Sequence, residues 1–242
     1  MGCENTLRCV HCGFPLKSLY IQYSPGNIRL MKCERCKKVA DEYIECENMI
    51  LVIDLILHKE KVYRHLFYNM FTRETLNFEV WLWKLAFSFL ILDTYKIFVL
   101  SRIEDGLKSS MSFASLISCY AKLLMDVGFG NLMFLMMLFL GIRVLTRASV
   151  GTTSFKDALL AILVSSYFKI FLLSTMIWEF PSSVLYINDI VVLSSNTVAL
   201  KVITESSMPR CLAVCLSAYA VKFLVMEMLN GALLIFGGID WA

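Results

Sequence analysis

The sequence predicts an α-helical multi-spanning membrane protein, with four or five transmembrane helices and a small N-terminal zinc-ribbon-like domain. Two observations lead to this fold class. Apolar residues make up 58% of the 242 residues, whereas an average soluble chain has roughly 45–50%. In addition, two Cys-x-x-Cys motifs lie near the start of the chain. The excess of apolar residues indicates helices that lie in lipid, and the cysteine motifs indicate a metal site.

Charged residues are distributed unevenly along the chain. Residues 1–79 hold close to half of them in about a third of the length, whereas 80–242 contains long runs with almost no charge. We therefore expect a zinc-binding ribbon or knuckle at 1–46, a juxtamembrane or interfacial helical segment at 47–79, and a transmembrane helical bundle at 80–242. The net charge of +3 is too small and too mixed with acids to indicate nucleic-acid binding.

Four of the nine cysteines form two pairs, Cys9 with Cys12 and Cys33 with Cys36. Each pair lets two thiolates converge on one ion, and two pairs complete a tetrahedral site. The spacing predicts a structural zinc ion as cofactor. Four protein ligands leave no position for water, so we expect no hydrolytic chemistry at this ion.

Local patterns predict a hairpin and a helix around this site. Residues 19–23 and 28–31 flank a Ser-Pro-Gly-Asn turn, which indicates a β-hairpin. Residues 49–57 are too few to span a membrane. With the following apolar face they predict a juxtamembrane helix over 49–72, which lies in the lipid interface or packs on the bundle. In this helix Arg64 and His65 point away from the apolar side. The core of the zinc domain is the alternative location for 49–57.

The region after residue 80 contains five apolar stretches that are long enough, or nearly long enough, to cross a membrane. They are about 80–100, 113–142, 157–178, 182–200 and 211–239. The stretch 182–200 is the shortest and most polar, so both four and five spans, and either side for the C-terminus, remain open.

The loops between these stretches predict that the zinc domain lies in the cytosol, because lysine and arginine collect on the cytosolic side. A reducing compartment also suits free cysteines. The predicted cytosolic loops hold Arg143, Arg147, Lys156, Lys201 and Arg210, against Arg102 and Lys108 on the opposite side.

Ionisable residues within the spans are candidates for function, because burying them in lipid is unfavourable unless they are paired or hydrated. Spacing along the helix pairs Asp93 with Lys96, and Lys122 with Asp126. The others could meet across the bundle or extend to an interface. The candidate intramembrane polar or lipid-binding residues are Lys169, Asp189, Lys222 and Glu227.

The sequence contains no P-loop, HExxH, GxSxG or paired-carboxylate motif, so we expect no enzymatic activity. The start of the chain fits the loose N-myristoylation pattern at Gly2, beside Cys3 as a palmitoylation candidate. A terminal glycine without any role is the alternative.

The cysteine region and several later segments resemble the Arv family, whose members are named as sterol-acyltransferase-related proteins required for viability. The run from Cys9 to Cys36 is similar to the start of the Arv homology domain, and the membrane region is similar to plant members in particular. The other segments that carry the resemblance are 39–45, 53–59, 63–66, 165–171, 178–181 and 196–201.

The resemblance implies a protein of the endoplasmic reticulum membrane that mediates sterol uptake, trafficking and distribution and affects sphingolipid metabolism. It also implies the zinc-ligand role of Cys9, Cys12, Cys33 and Cys36. The expected partners are membrane lipids, above all sterols. An alternative function is a non-catalytic scaffold in the complex that starts glycosylphosphatidylinositol anchor synthesis, with lipid-glycosyltransferase subunits as partners.

Overall fold

The computed structural model describes residues 7–71, 78–104, 113–147, 155–178 and 180–236. The chain divides into two compact units, Met1–Trp81 and Leu82–Ala242. The candidate acylation site at Gly2 and Cys3, and the loop residue Lys108, lie outside the described residues.

The first unit begins with two small antiparallel sheets. Strands β1 (Leu7–Arg8) and β2 (Pro15–Leu16) form one, and β3 (Tyr20–Ser24) and β4 (Asn27–Leu30) form the other. The second sheet confirms the predicted hairpin. Its turn contains Gly26 at φ 84°, a conformation that glycine adopts without strain.

The segment predicted as a helix over 49–72 is helical in most of its described part, but it is divided into shorter pieces. Helix α1 (Asn48–Ile56) is followed by α2 (Glu60–Arg64) and a π-helical turn at His65–Met70. The break is a helix C-cap in which His58 has a left-handed backbone, φ 53°. The amides of His58 and Lys59 bond back to the carbonyls of Leu55 and Asp54, which satisfies the end of α1.

The carboxylate of Asp41 is fully buried and connects several segments of this unit. Its Oδ2 lies 2.7 Å from His65 Nδ1 and accepts a hydrogen bond from Asn69 Nδ2 at 2.6 Å, and its Oδ1 accepts one from the Tyr43 amide at 3.0 Å. The prediction that His65 points away from the packed side is therefore wrong. Its partner comes from a distant loop, which helical periodicity does not reveal.

In contrast, α1 exposes most of its apolar side chains. Leu55 is its buried residue, whereas Met49 is 66% and Ile53 51% exposed. The core of the zinc domain, the alternative location for this segment, therefore does not hold most of these side chains.

The second unit is helical, and four of its described segments are long and apolar enough to cross a membrane. They are Ile117–Leu145, Asp157–Thr175, Ser183–Thr204 and Met208–Leu229. The stretch near 182–200, the shortest and most polar in the sequence, is one of the four. The stretch 80–100 is not: helix α3 (Phe78–Glu104) has 27 residues but carries Lys84, Asp93 and Lys96.

The remaining helices are α4 (Phe113–Arg147), α5 (Phe155–Ser165), α6 (Leu172–Ile177), α7 (Ser183–Thr204) and α8 (Met208–Phe236). A 3₁₀ segment, Ser166–Phe171, joins α5 to α6 within one span. The core of this unit includes Leu138 and Ile142 of α4 and Leu200 of α7, with Cys211 and Cys215 fully buried among them. These two cysteines are core residues and lie in a different unit from the paired cysteines.

Candidate metal centre and intramembrane cavity

The two cysteine pairs occupy turns with the same backbone geometry. The amide of Gly13 donates to the carbonyl of Cys9, and the amide of Lys37 donates to that of Cys33, each at 2.9 Å. Gly13 and Lys37 both have positive φ, 72° and 61°. Each pair therefore has the turn geometry that is typical of a metal knuckle. At the position where the first turn has glycine, the second holds a lysine in the left-handed conformation.

The four cysteines converge on one point. Cys9 Sγ lies 3.8 Å from Cys36 Sγ, and Cys12 Sγ lies 3.6 Å from Cys33 Sγ, with all four sulfurs within 4.8 Å of one another. In a tetrahedral site, a zinc–sulfur bond of about 2.3 Å places the sulfurs about 3.8 Å apart. The spacing of these thiols therefore fits one tetrahedral metal ion.

The surroundings of the cluster favour a thiolate at Cys33. Burial is the largest single effect and acts to raise the pKa of this thiol. Hydrogen bonds from the backbone of Cys36 and Arg35 and from the thiols of Cys12 and Cys36 together outweigh burial and lower the pKa to about 7. At Cys9 burial dominates and raises the pKa of the thiol. Amides directed at a sulfur stabilise its negative charge, which is the form that binds a metal ion.

Helix α2 supports the first knuckle through Arg64. Its Nη1 donates to the carbonyls of Val10 and His11 at 3.0 and 3.1 Å, the two residues between Cys9 and Cys12. His11 is directed elsewhere, with Nε2 3.7 Å from Glu42 Oε2. Arg64 thus contacts the knuckle, contrary to the prediction that it points away from the packed side.

In the second unit, the carboxylate of Asp93 contacts lysine side chains from two other helical segments. Its Oδ2 accepts hydrogen bonds from Lys169 Nζ at 2.9 Å, Lys222 Nζ at 3.2 Å and Asn131 Nδ2 at 3.1 Å. All of these side chains are largely buried, with Asp93 9%, Lys169 16% and Lys222 19% exposed. We call Asp93, Lys169 and Lys222 the cation cluster.

The pairing of Asp93 with Lys96 predicted from their spacing is therefore wrong. Lys96 pairs instead with Asp189 of α7. Both residues find partners on other helices because i,i+3 spacing places them on one side of α3, where neighbouring segments approach. Lys122 and Asp126, both described in α4, do not form the predicted pair. Glu227 is exposed, outside the cluster.

A cavity of about 230 Å³ lies beside the cation cluster. Its wall is mainly apolar, and the two lysines of the cluster together with a few neutral polar groups lie in it. Asn196 links these groups: its Oδ1 accepts from Ser165 Oγ at 2.5 Å and its Nδ2 donates to Tyr219 Oη at 3.3 Å. The polar lining consists of Asn131, Ser166, Lys169, Asn196, Tyr219 and Lys222.

Comparison with known proteins identifies the family. A sequence model of the Arv1-like family matches residues 8–200, which include the four knuckle cysteines and most of the helices. The chain belongs to the Arv1-like family. Protein ARV 2 and Protein ARV 1 of Arabidopsis thaliana are 51% and 50% identical to it, each over 90% of this chain and over 92% and 86% of their own lengths.

A more distant relative also has an Arv1 name. Protein arv1 of Schizosaccharomyces pombe is 31% identical over 83% of this chain and 76% of its own length. No solved structure matches the chain. The high identity to two plant proteins confirms that this Arv1-like chain is a plant-type member.

The structure brings together two of the four predicted intramembrane residues of this Arv1-like protein. Lys169 and Lys222 meet at Asp93, Asp189 lies in a separate pair with Lys96, and Glu227 stays apart. Charge alone does not identify the neutral polar residues of the lining. Asn131, Asn196 and Tyr219 had only one signal in the sequence, which is a polar group inside an apolar run.

Proposed function

We propose that this protein mediates sterol homeostasis at the endoplasmic reticulum, in sterol uptake, trafficking and distribution, with effects on sphingolipid metabolism. In this proposal it acts without catalysis, by taking membrane lipid into the cavity of its helical bundle. The observation that carries the proposal is a mainly apolar cavity with a few convergent polar groups, inside a chain of the Arv1-like family.

The lining suits an amphipathic molecule. Phe89, Phe134 and Ile162 offer apolar contacts for a ring system or chain, and Asn196 and Tyr219 offer hydrogen bonds to a hydroxyl. Ligand sites typically combine an apolar wall with a small number of polar groups that fix orientation. Tyr219 and Asn196 bond to each other, so a hydroxyl entering between them would join an existing network.

We assign zinc to the metal centre, as a structural ion. A site of four cysteine sulfurs is typical of structural zinc, and the ion would have no open position for a substrate. In a small unit with short sheets, binding of the ion would contribute much of the folding free energy. The lysine and arginine distribution of the loops supports a cytosolic location for this unit.

The test is sterol binding and transfer between liposomes by the purified full-length protein. The variant Gly128→Phe is designed to fill the cavity, because Gly128 lines it and a Cβ there would have only Leu90 Cδ1, at 3.9 Å, within 4 Å. Val144→Phe is the matched control on the same helix, at a side chain that is 71% exposed. We expect transfer by the wild type and by Val144→Phe and a loss in Gly128→Phe; a wild type that neither binds nor transfers sterol contradicts the proposal.

A second candidate function is a scaffold in the complex that starts glycosylphosphatidylinositol anchor synthesis. The observation that favours it is the cluster of four cysteines, which would leave a bound zinc ion no open position and so limit its role to structure. Affinity purification from native membranes tests it, by comparing the wild type with Cys33→Ser/Cys36→Ser. Glycosyltransferase subunits that co-purify with the wild type and are lost in the variant would support the scaffold, and their absence from both would exclude it.

A further inference from the structure

The cation cluster carries an unbalanced charge. Asp93 Oδ2 accepts three hydrogen bonds, an arrangement that stabilises the ionised carboxylate. One carboxylate neutralises only one of the two ammonium groups that contact it. The nearby Lys96 is already neutralised by Asp189, and among the described residues that line the cavity there is no aspartate or glutamate.

An unbalanced ammonium group in this place is costly. Lys169 and Lys222 are mostly buried, and their helices lie within two of the four candidate membrane spans. A buried charge without a counter-ion is strongly unfavourable in such surroundings, so these sites hold paired charges. The lining supplies neutral donors, Asn131 and Tyr219, but no anion. The lining therefore contains no counter-ion for the second ammonium group, and an anion from outside the described chain would balance it.

The cavity also limits what that anion is. Both lysines line a cavity whose other lining residues are mainly apolar side chains, such as Phe89 and Leu135. A small hydrated ion gains nothing from such a wall, whereas a lipid fills the apolar part with a chain and presents its headgroup phosphate to the lysines. Ammonium groups bind phosphate through short, charge-assisted hydrogen bonds.

We propose that the cavity binds the negatively charged phosphate of a membrane lipid, with Lys222 and Lys169 as its ligands. This rests on the proposed function in placing a lipid in the same cavity, but it names a lipid class that sterols do not belong to. A sterol has a hydroxyl and no charge, so it leaves the cluster unbalanced.

The experiment uses full-length protein in nanodiscs of phosphatidylcholine that contain a minor fraction of phosphatidylglycerol, whose phosphate carries its only charge. Lipid retained per protein is counted by native mass spectrometry. We expect the wild type to enrich phosphatidylglycerol by about tenfold, a factor that one charge-assisted hydrogen bond can supply. Lys222→Gln should lose the enrichment, since Asp93 and Lys169 then form a balanced pair. Lys122→Gln, which removes the same charge from an exposed position of α4, should keep it.

Thermal unfolding in pure phosphatidylcholine nanodiscs gives a second readout. There, Lys222→Gln should unfold at the same or a higher temperature than the wild type, because it removes an unbalanced charge. A lower temperature would mean that Lys222 is only a structural partner of Asp93, and it would overturn the proposal. Equal enrichment in wild type and Lys222→Gln would overturn it as well.

Two further arms identify the source of the phosphate and separate the two proposals. The first arm compares how much inorganic phosphate and phosphatidylglycerol raise the unfolding temperature of the wild type. An equal rise would indicate a site for the free ion and overturn the lipid assignment. Nanodiscs that contain sterol complete the set. Retention of sterol without phosphatidylglycerol would refute this inference and leave the proposed function standing. Retention of phosphatidylglycerol without sterol would do the reverse.

Discussion

Replacing Gly141 with alanine should force helices α4 and α8 apart. A Cβ at this position would lie 3.0 Å from Cγ2 of Val214 and closer still to its Cγ1, whereas carbon atoms pack at about 3.5–4.0 Å. Valine in a helix has one strongly preferred rotamer. Val214 therefore cannot turn its methyl groups away, and the backbones must move.

The expected magnitude combines two opposing effects. Overpacking a close helix contact costs about 1–3 kcal/mol, and replacing glycine by alanine in a helix interior gains about 0.5–1 kcal/mol. Gly141→Ala should then destabilise the protein by about 0–2.5 kcal/mol, with a midpoint of about 1 kcal/mol, although alanine is the better helix former. Gly128 lies in the same helix, but a Cβ there would first meet Leu90 Cδ1 at 3.9 Å. Gly128→Ala should therefore stabilise by about 0.5–1 kcal/mol.

The assay is thermal unfolding of the two single variants and of Gly141→Ala/Val214→Ala in the same detergent. A difference of about 2 kcal/mol between Gly141→Ala and Gly128→Ala corresponds to about 4–8 °C in Tm for a chain of this size. Val214→Ala should restore part of the loss in the double variant, because it removes the two methyl groups that clash. Equal Tm values for the two glycine variants, or no rescue, would refute the close contact as the cause.

Three further predictions concern the first unit. Lys37→Gly should stabilise the metal knuckle by about 0.5–1 kcal/mol, because it relieves a left-handed conformation; chelator titration measures this as slower metal release, and faster release would contradict it. Leu55→Ala should cost about 2–3 kcal/mol as a buried truncation, whereas Ile53→Ala, 51% exposed, should stay within about 0.5 kcal/mol; chemical unfolding separates them, and equal losses would mean that α1 is packed on both faces. Hydrogen bonding from Lys59, with a further bond from Tyr43, lowers the pKa of Asp54 against the effect of burial. A lowered folded-state pKa gives stability that is present above the unfolded pKa of about 3.9 and is lost as the pH falls through the folded value. Asp54→Asn should thus destabilise at pH 7 and converge with the wild type in acid, and a constant difference across this range would exclude the linkage.

The features that could be predicted from sequence are those that short segments determine. The spacing within Cys9–Cys12 and Cys33–Cys36 fixes each knuckle, and a Pro-Gly turn fixes the hairpin around Gly26. Each depends on residues only a few positions apart. Long apolar runs likewise indicate helices that can cross a membrane, whatever their order in the bundle.

Partners across the bundle could not be predicted in the same way. Helical spacing shows that Asp93 and Lys96 share one side of α3, but it does not show which helix faces that side. The structure places Lys169 and Lys222 against Asp93, and Asp189 against Lys96. Hydrogen bonding between distant segments also explains His65, whose burial depends on Asp41.

The 3₁₀ segment Ser166–Phe171 changes the reach of its span. The candidate span Asp157–Thr175 has 19 residues, which as a uniform α-helix would extend about 28 Å, slightly less than the hydrocarbon thickness of about 30 Å. Six residues at the longer 3₁₀ rise add about 3 Å. The longer rise of the 3₁₀ segment therefore lets this short span match the hydrocarbon thickness of the bilayer. Because the 3₁₀ segment turns further per residue, α6 also presents a face rotated by about 120° from the one that the periodicity of α5 would extend.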